Sequence, residues 1–202
     1  GDTIESVASE KAYVADGCSI VVCAVQPDAV LAILKRRAPA LDVAEPNTPF
    51  SLAMDGHHQL QNAALALQGV THLINNSLIQ GDLTNARRAI ESTSIPGRLQ
   101  KVIYNKSTVW LDAAHNSHAV EALLPTLKKM NLDTIIVFTR EDRSLVDSLN
   151  LLSDCADRVI TDTDYVNVTD ALNTELQSHP NGRFLVLGSF ITVAAALRQL
   201  SR

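Results

Sequence analysis

No stretch of the chain is apolar for long enough to span a membrane, and the opening residues do not read as a signal peptide. The expectation is a cytoplasmic protein with no membrane partner. Cysteine is scarce: Cys18, Cys23 and Cys155 are an odd number without zinc-like spacing, which suits reduced thiols better than a disulfide framework. Positive charge is not in excess. The 17 Lys and Arg residues against 22 Asp and Glu leave a net charge of −5, which argues against a nucleic-acid partner. None of the eight glycines is followed by lysine, so a Gly-Lys-[Ser/Thr] phosphate cradle is absent. Internal repeats and low-complexity segments are absent too.

What is present is ordinary globular material. The 202 residues are 46% hydrophobic and 19% charged, enough for one large core or two small ones. Asp2 or Thr3 can cap a helix running to Lys11. The apolar run 19–25 reads as a strand buried on both faces, and Pro27 then opens a helix in which Val30, Ile33 and Leu34 share a side. Residues 38–56, with three prolines, read as loop. A long helix follows, with Leu60, Ala63, Ala64, Leu67 and Val70 in helical repeat, and then a helix over 82–91 stopped by Ser94-Ile95-Pro96-Gly97.

Beyond that turn the pattern alternates. Strands are predicted at 108–111, 134–138, 158–160 and 184–187, and helices at 117–130, 144–154, 168–178 and 189–200. Pro125 should loosen the first of these helices, because it removes a hydrogen bond. Such alternation predicts an α/β fold with a mostly parallel sheet. The domain boundary is placed at 94/95, giving domains 1–94 and 95–202.

Ligands of parallel sheets gather at the carboxyl ends of strands. Two such ends carry chemistry: Asp112-Ala113-Ala114-His115-Asn116 and Gly188-Ser189-Phe190. Each residue taken singly has a plainer role. Asp112 can simply bond the loop, His115 can pack, and Ser189 can cap its helix. Asn62 and Lys11 alone are surface residues, and Arg98 alone is a linker charge.

The ordered set says more. Gly1-Asp2-Thr3-Ile4-Glu5, Ser9-Glu10-Lys11-Ala12, Gln61-Asn62-Ala63-Ala64-Leu65, Pro96-Gly97-Arg98-Leu99-Gln100, Leu111-Asp112-Ala113-Ala114-His115-Asn116 and Gly188-Ser189-Phe190-Ile191 occur in that order. The series resembles the folylpolyglutamate synthase and dihydrofolate synthase family of the Mur ligase superfamily, over the second half of its members. The resemblance implies a Rossmann-like carboxyl-terminal domain preceded by the tail of a P-loop-type ATPase domain. It also implies an ATP- and Mg²⁺-dependent ligase that joins L-glutamate to dihydropteroate or folates through an acyl phosphate, monomeric when complete. Carried over by motif, Asn62, Arg98 and Asp112 would bind the nucleotide. Lys11, as a carbamate, would help hold Mg²⁺, and His115 and Ser189 would serve the incoming glutamate.

The chain also departs from the family pattern. Tyr13-Val14 stands where Gly-Ile is usual, Ser117 where proline is usual, and Thr139-Arg140-Glu141-Asp142-Arg143 replaces a loop with an Asp-Lys-Asp run. The opening Gly1-Asp2-Thr3 has no Met, and the P-loop portion and its Mg²⁺ ligands would lie upstream, so the chain by itself is expected to be inactive. Three other readings stand beside this one: a Mur-type peptidoglycan ligase, a hydrolase with an Asp112–His115–Ser189 triad, and a non-catalytic nucleotide-binding module.

Overall fold

The computed structural model describes residues 3–47, 49–140 and 145–201. Its packing divides the chain into two units: Gly1–Leu52 with Gln59–Ser92, and Ala53–His58 with Thr93–Arg202. The division after Ser92 falls two residues before the sequence boundary. Segment 53–58, assigned by sequence to the first domain, packs with the second.

In the first unit Thr3 caps α1 (Ile4–Lys11), its hydroxyl accepting from the Ser6 N–H at 3.1 Å. The alternative cap, Asp2, lies outside the described residues. Pro27 precedes α2 (Asp28–Arg37), which buries Val30 and Ile33. Strand β1 (Val21–Ala24) pairs in parallel with β2 (Leu41–Ala44), Val21 opposite Leu41. Two corrections arise here. All four β1 residues are half-buried rather than buried on both faces, because among the described residues β2 is their sole sheet neighbour. β2 itself lies in the stretch read as loop, since four residues interrupted by Asp42 carry too little apolar signal. Asp42 has a structural use: its carboxylate takes His72 Nε2 at 2.7 Å and Gln68 at 2.5 Å, tying β2 to α3 (His58–Asn75). Those hydrogen bonds hold the Asp42 carboxyl below its ordinary range. α4 (Leu83–Ser92) follows.

The second unit is a five-stranded sheet in the order β3-β4-β7-β5-β6. Strands β4 (Ser107–Asp112), β7 (Arg183–Leu187), β5 (Leu132–Val137) and β6 (Ala156–Ile160) are mutually parallel. β3 (Gln100–Tyr104) is antiparallel to β4 and escaped the sequence reading. A signal for it exists. Asn105 and Lys106 both adopt positive φ, 46° and 72°, as a two-residue hairpin of the I′ kind requires, and asparagine favours that geometry.

Alternate β4 residues feed opposite faces of the sheet. Trp110 joins Leu185, Leu187, Ile135 and Val137 under α5 (Ser117–Leu127) and α6 (Leu149–Ser153). Val109 and Leu111 join Phe184, Val186 and Ile136 under α7 (Val168–Ser178) and α8 (Phe190–Leu200). α5 ends at Leu127, three residues short of the expected end. The chain then tightens into three-residue bonds, Thr126 O to Lys129 N and Leu127 O to Met130 N, consistent with the hydrogen bond that Pro125 forfeits. The helix expected over 144–154 resolves into a 3-10 turn at Val146–Ser148 and the short α6, with residue 144 outside the description.

Phe184 sits at the centre of this core with no exposed surface, opposite both Val109 and Thr134. Phe184→Ala should therefore destabilise the second unit by about 3–5 kcal/mol. Urea unfolding followed by the fluorescence of Trp110, the single tryptophan, measures this. A loss below about 1 kcal/mol would place the core elsewhere.

Candidate functional site

The helix after β4 packs on one face of the sheet and the helix after β7 on the other, while β4 and β7 are neighbours. The crevice at their carboxyl ends is therefore a topological switch point, where parallel sheets hold ligands. Asp112 ends β4 directly opposite Leu187, the last residue of β7, and Val137 flanks Leu187 on its other side.

Asp112 is 3% exposed and both of its oxygens are engaged. Oδ2 accepts from the Leu99 N–H and Oδ1 from the Ala114 N–H, each at 2.8 Å. Burial raises the carboxyl above its ordinary value of 3.8; the two N–H bonds, Arg98 and His58 pull the other way. The bond to Leu99 has a local purpose. Leu99 sits at φ +44°, a left-handed conformation that costs a non-glycine residue roughly 1–2 kcal/mol. A hydrogen bond to a charged group contributes about 1.5–3 kcal/mol, enough to hold it there. Gly97 makes the same corner possible at φ +72°, and its carbonyl accepts from the Ala113 N–H at 2.9 Å.

Arg98 lies between these two left-handed residues and is half-buried, with its guanidinium 5.3 Å from the centroid of the exposed Phe190 ring. His115 is also half-buried, with Nδ1 3.0 Å from the Ala113 carbonyl. A carbonyl can only accept, so Nδ1 carries the hydrogen and Nε2 is the ring nitrogen left for a ligand.

Ser189 is the N-cap of α8. Its Oγ accepts from the Thr192 N–H at 3.0 Å and lies 2.8 Å from Thr192 Oγ1, which in turn donates to the Phe138 carbonyl at 2.6 Å. This chain of bonds ties the amino end of α8 to the end of β5. Gly188 before it has φ +130°, and a Cβ there would come within 2.2 Å of the Phe138 carbonyl oxygen. Only glycine fits.

The sheet edge thus gathers Arg98, Asp112, His115 and Ser189 in one unit. It does not assemble a hydrolytic relay: Asp112 bonds backbone, His115 bonds Ala113, and Ser189 bonds Thr192. Asn62 belongs to the first unit, where its amide donates to Gln59 Oε1 at 2.9 Å. Lys11, also in the first unit, is exposed at the end of α1. Among the described residues no group of three His, Cys, Asp or Glu is placed to hold a metal ion.

His58 escaped the sequence reading. It stands within electrostatic reach of Asp112 and Arg98, and the backbone of Ala122 hydrogen-bonds it. Burial pushes its imidazole below the ordinary range, against the charge of Asp112. No spacing in the sequence announces this, because 54 positions separate His58 from Asp112.

No family model matches the chain. It is 28% identical over 155 residues to the mitochondrial folylpolyglutamate synthase of Bos taurus, covering 60% of this chain and 26% of that protein. It is 27% identical over 157 residues to the dihydrofolate synthase/folylpolyglutamate synthase of Bacillus subtilis (strain 168), covering 64% of this chain and 36% of that one. The fold is similar to that of a solved FPGS–AMPPCP–folate complex, with a TM-score of 0.79 at 20% identity, over 98% of this chain and 57% of the other. The chain therefore spans only part of each protein it matches.

The raised Asp112 carboxyl has a signed consequence. Above the ordinary value the folded state holds a proton that the unfolded state has released, so this group's contribution to stability is lost as pH rises through the raised value. Unfolding free energies measured between about pH 4 and pH 8 should show wild type losing ground to Asp112→Asn as pH rises. The opposite slope would mean that the two N–H bonds outweigh desolvation.

Proposed function

We propose, from its kinship with the folylpolyglutamate and dihydrofolate synthases over their carboxyl-terminal part, that this chain is the closing portion of an ATP-dependent ligase joining L-glutamate to dihydropteroate or folates. The observation that carries the reading is the convergence of Arg98, Asp112, His115 and Ser189 at one switch-point edge, in a chain related to such ligases. In this reading residues 1–94 are the tail of the ATPase domain and 95–202 the ligase domain.

The described residues alone do not fit a magnesium–triphosphate group. No P-loop Gly-Lys pair is present, and no cluster of metal-ligating side chains is formed. The triphosphate cradle and most magnesium ligands are therefore assigned to another part of the ligase. Lys11, carbamylated, would add one oxygen ligand of the kind a hard cation prefers, and Asn62 would meet the nucleotide from the first unit. ATP would supply the phosphoryl group that activates the acceptor carboxylate; the glutamate amine would then attack the activated acyl carbon, forming the amide and releasing inorganic phosphate and a proton.

What this chain's residues contribute is positioning and charge. Arg98 is always ionised, and its guanidinium fork matches phosphate oxygens; the Phe190 ring beneath it limits where that fork can go. Asp112 holds the Arg98–Leu99 corner in shape, and its remaining lone pairs can accept from a ribose hydroxyl. His115 offers Nε2 to the incoming glutamate, as a donor when the ring is protonated. Ser189 serves through its cap: it orients the first turn of α8, whose N–H groups favour a carboxylate.

The test uses the complete polypeptide that contains this chain, with ATP, Mg²⁺, L-glutamate and either dihydropteroate or tetrahydrofolate. ADP release that requires both glutamate and a pteroyl acceptor is expected. Arg98→Ala should lower turnover by about 100-fold or more, as loss of a charge-stabilising donor does. His115→Ala should raise the Michaelis constant for glutamate by about tenfold. An effect of His115→Ala on ATP alone would assign it the wrong ligand, and no ADP release with either acceptor would reject the reading.

A further inference from the structure

The hydroxyls of Ser189 and Thr192 lie 2.8 Å apart at the start of α8, just beyond the point where β7 ends beside Asp112. In such a pair taken alone either oxygen could be the donor. A third group fixes the direction. Thr192 Oγ1 is 2.6 Å from the Phe138 carbonyl oxygen, which can only accept, so the single Thr192 hydroxyl hydrogen points there. Thr192 Oγ1 therefore accepts from Ser189, and the Ser189 hydrogen is spent. Ser189 Oγ also accepts from the Thr192 N–H at 3.0 Å, which leaves it one lone pair and nothing to donate. Among the described residues nothing else bonds this oxygen.

A serine hydroxyl ordinarily adapts, its hydrogen rotating to donate or accept as a partner requires. Ser189 has lost that freedom. Both hydroxyl residues are only 6% exposed, which keeps water from competing for either hydrogen. The Phe138 carbonyl that starts the relay is itself held, because the N–H of the same residue donates to the Leu187 carbonyl at 3.0 Å. The polarity thus runs fixed from the end of β5 to the Ser189 oxygen. An oxygen that can only accept is a poor match for a carboxylate or a carbonyl, whose own lone pairs would face it. It is a good match for an N–H.

Glutamate carries both kinds of group: two carboxylates that need donors, and one α-amino group that is a donor. We infer that Thr192 is a positioning residue for the incoming amino acid: by taking the Ser189 hydrogen it leaves Ser189 Oγ as an acceptor for the α-amino N–H rather than a donor to a carboxylate. This rests on the ligase reading, in which glutamate lies at this edge. Ser189 orients the amine through one N–H and removes no proton from it. His115 Nε2 and the first turn of α8 remain for the carboxylates.

Equilibrium titration of the complete polypeptide tests this without turnover. With a non-hydrolysable ATP analogue and the pteroyl acceptor present, calorimetry measures the binding of L-glutamate, glutarate and 2-oxoglutarate. Glutarate lacks the amine, and 2-oxoglutarate puts an acceptor in its place. The unaltered protein should bind glutamate at least about tenfold tighter than glutarate, and 2-oxoglutarate no tighter than glutarate. Thr192→Val removes the hydroxyl but keeps the backbone N–H that Ser189 caps. Ser189 then regains a hydrogen to give. The advantage of glutamate should fall about tenfold, and 2-oxoglutarate should overtake glutarate by a similar factor. Thr192→Ser should keep the original order. A merely structural Thr192 would weaken all three ligands alike in Thr192→Val, and that result overturns the proposal. So does tighter binding of 2-oxoglutarate than of glutarate by the unaltered protein, an unchanged order in Thr192→Val, or no binding of glutamate. The comparison in the unaltered protein decides the matter even if a variant fails to fold. The expected binding order without glutamate-dependent ADP release would uphold the amine contact and reject the ligase reading alone.

Discussion

Two backbone N–H groups, from Leu99 and Ala114, meet the two oxygens of Asp112 at 2.8 Å, and the geometry of the carboxyl edge follows from that meeting. One bond holds a leucine in a left-handed conformation it would otherwise leave; the other sets the direction in which the chain departs from β4. Arg98 precedes the first anchored residue and His115 follows the second, so a single buried carboxylate places both. Ionising it in the core is unfavourable, as its raised carboxyl shows. The fold accepts that cost at the end of a central strand, where a rigid loop matters more than a small gain in stability.

The other half of the edge is built without charge. Gly188 makes its turn against the Phe138 carbonyl with no room for a side chain, and Ser189 and Thr192 pass hydrogen bonds from the first turn of α8 to that same carbonyl. The ends of β5 and β7 and the start of α8 are thus locked together. Ser189 caps α8, its hydroxyl engaged with Thr192. The chain's similarity to the folylpolyglutamate synthases stands beside this edge as an independent observation.

Much of this was legible in the residues. The strand–helix alternation after Gly97, the caps at Thr3 and Ser189, and the strand end at Asp112 are local matters of periodicity and capping, and they stand where expected. The misses have physical causes. β2 is short and carries a charge that is useful only once His72 and Gln68 reach it. β3 is an alternating edge strand whose turn residue Lys106 is a weak advertisement for positive φ. Segment 53–58 reads as part of the first domain because it is contiguous with it, and only packing carries it to the second.

The sequence by itself determined the mixed α/β class, the strand ends at Asp112 and Leu187, and the family resemblance, since periodicity, caps and ordered motifs are properties of neighbours along the chain. Tertiary structure alone decided which strand lies beside which, so that β7 inserts between β4 and β5 and makes the switch point. It alone brought His58 within reach of Asp112, and Thr192 to the Phe138 carbonyl. Those placements come from burying two faces of one sheet at once, a constraint that joins residues far apart in the chain and leaves no trace in their local spacing.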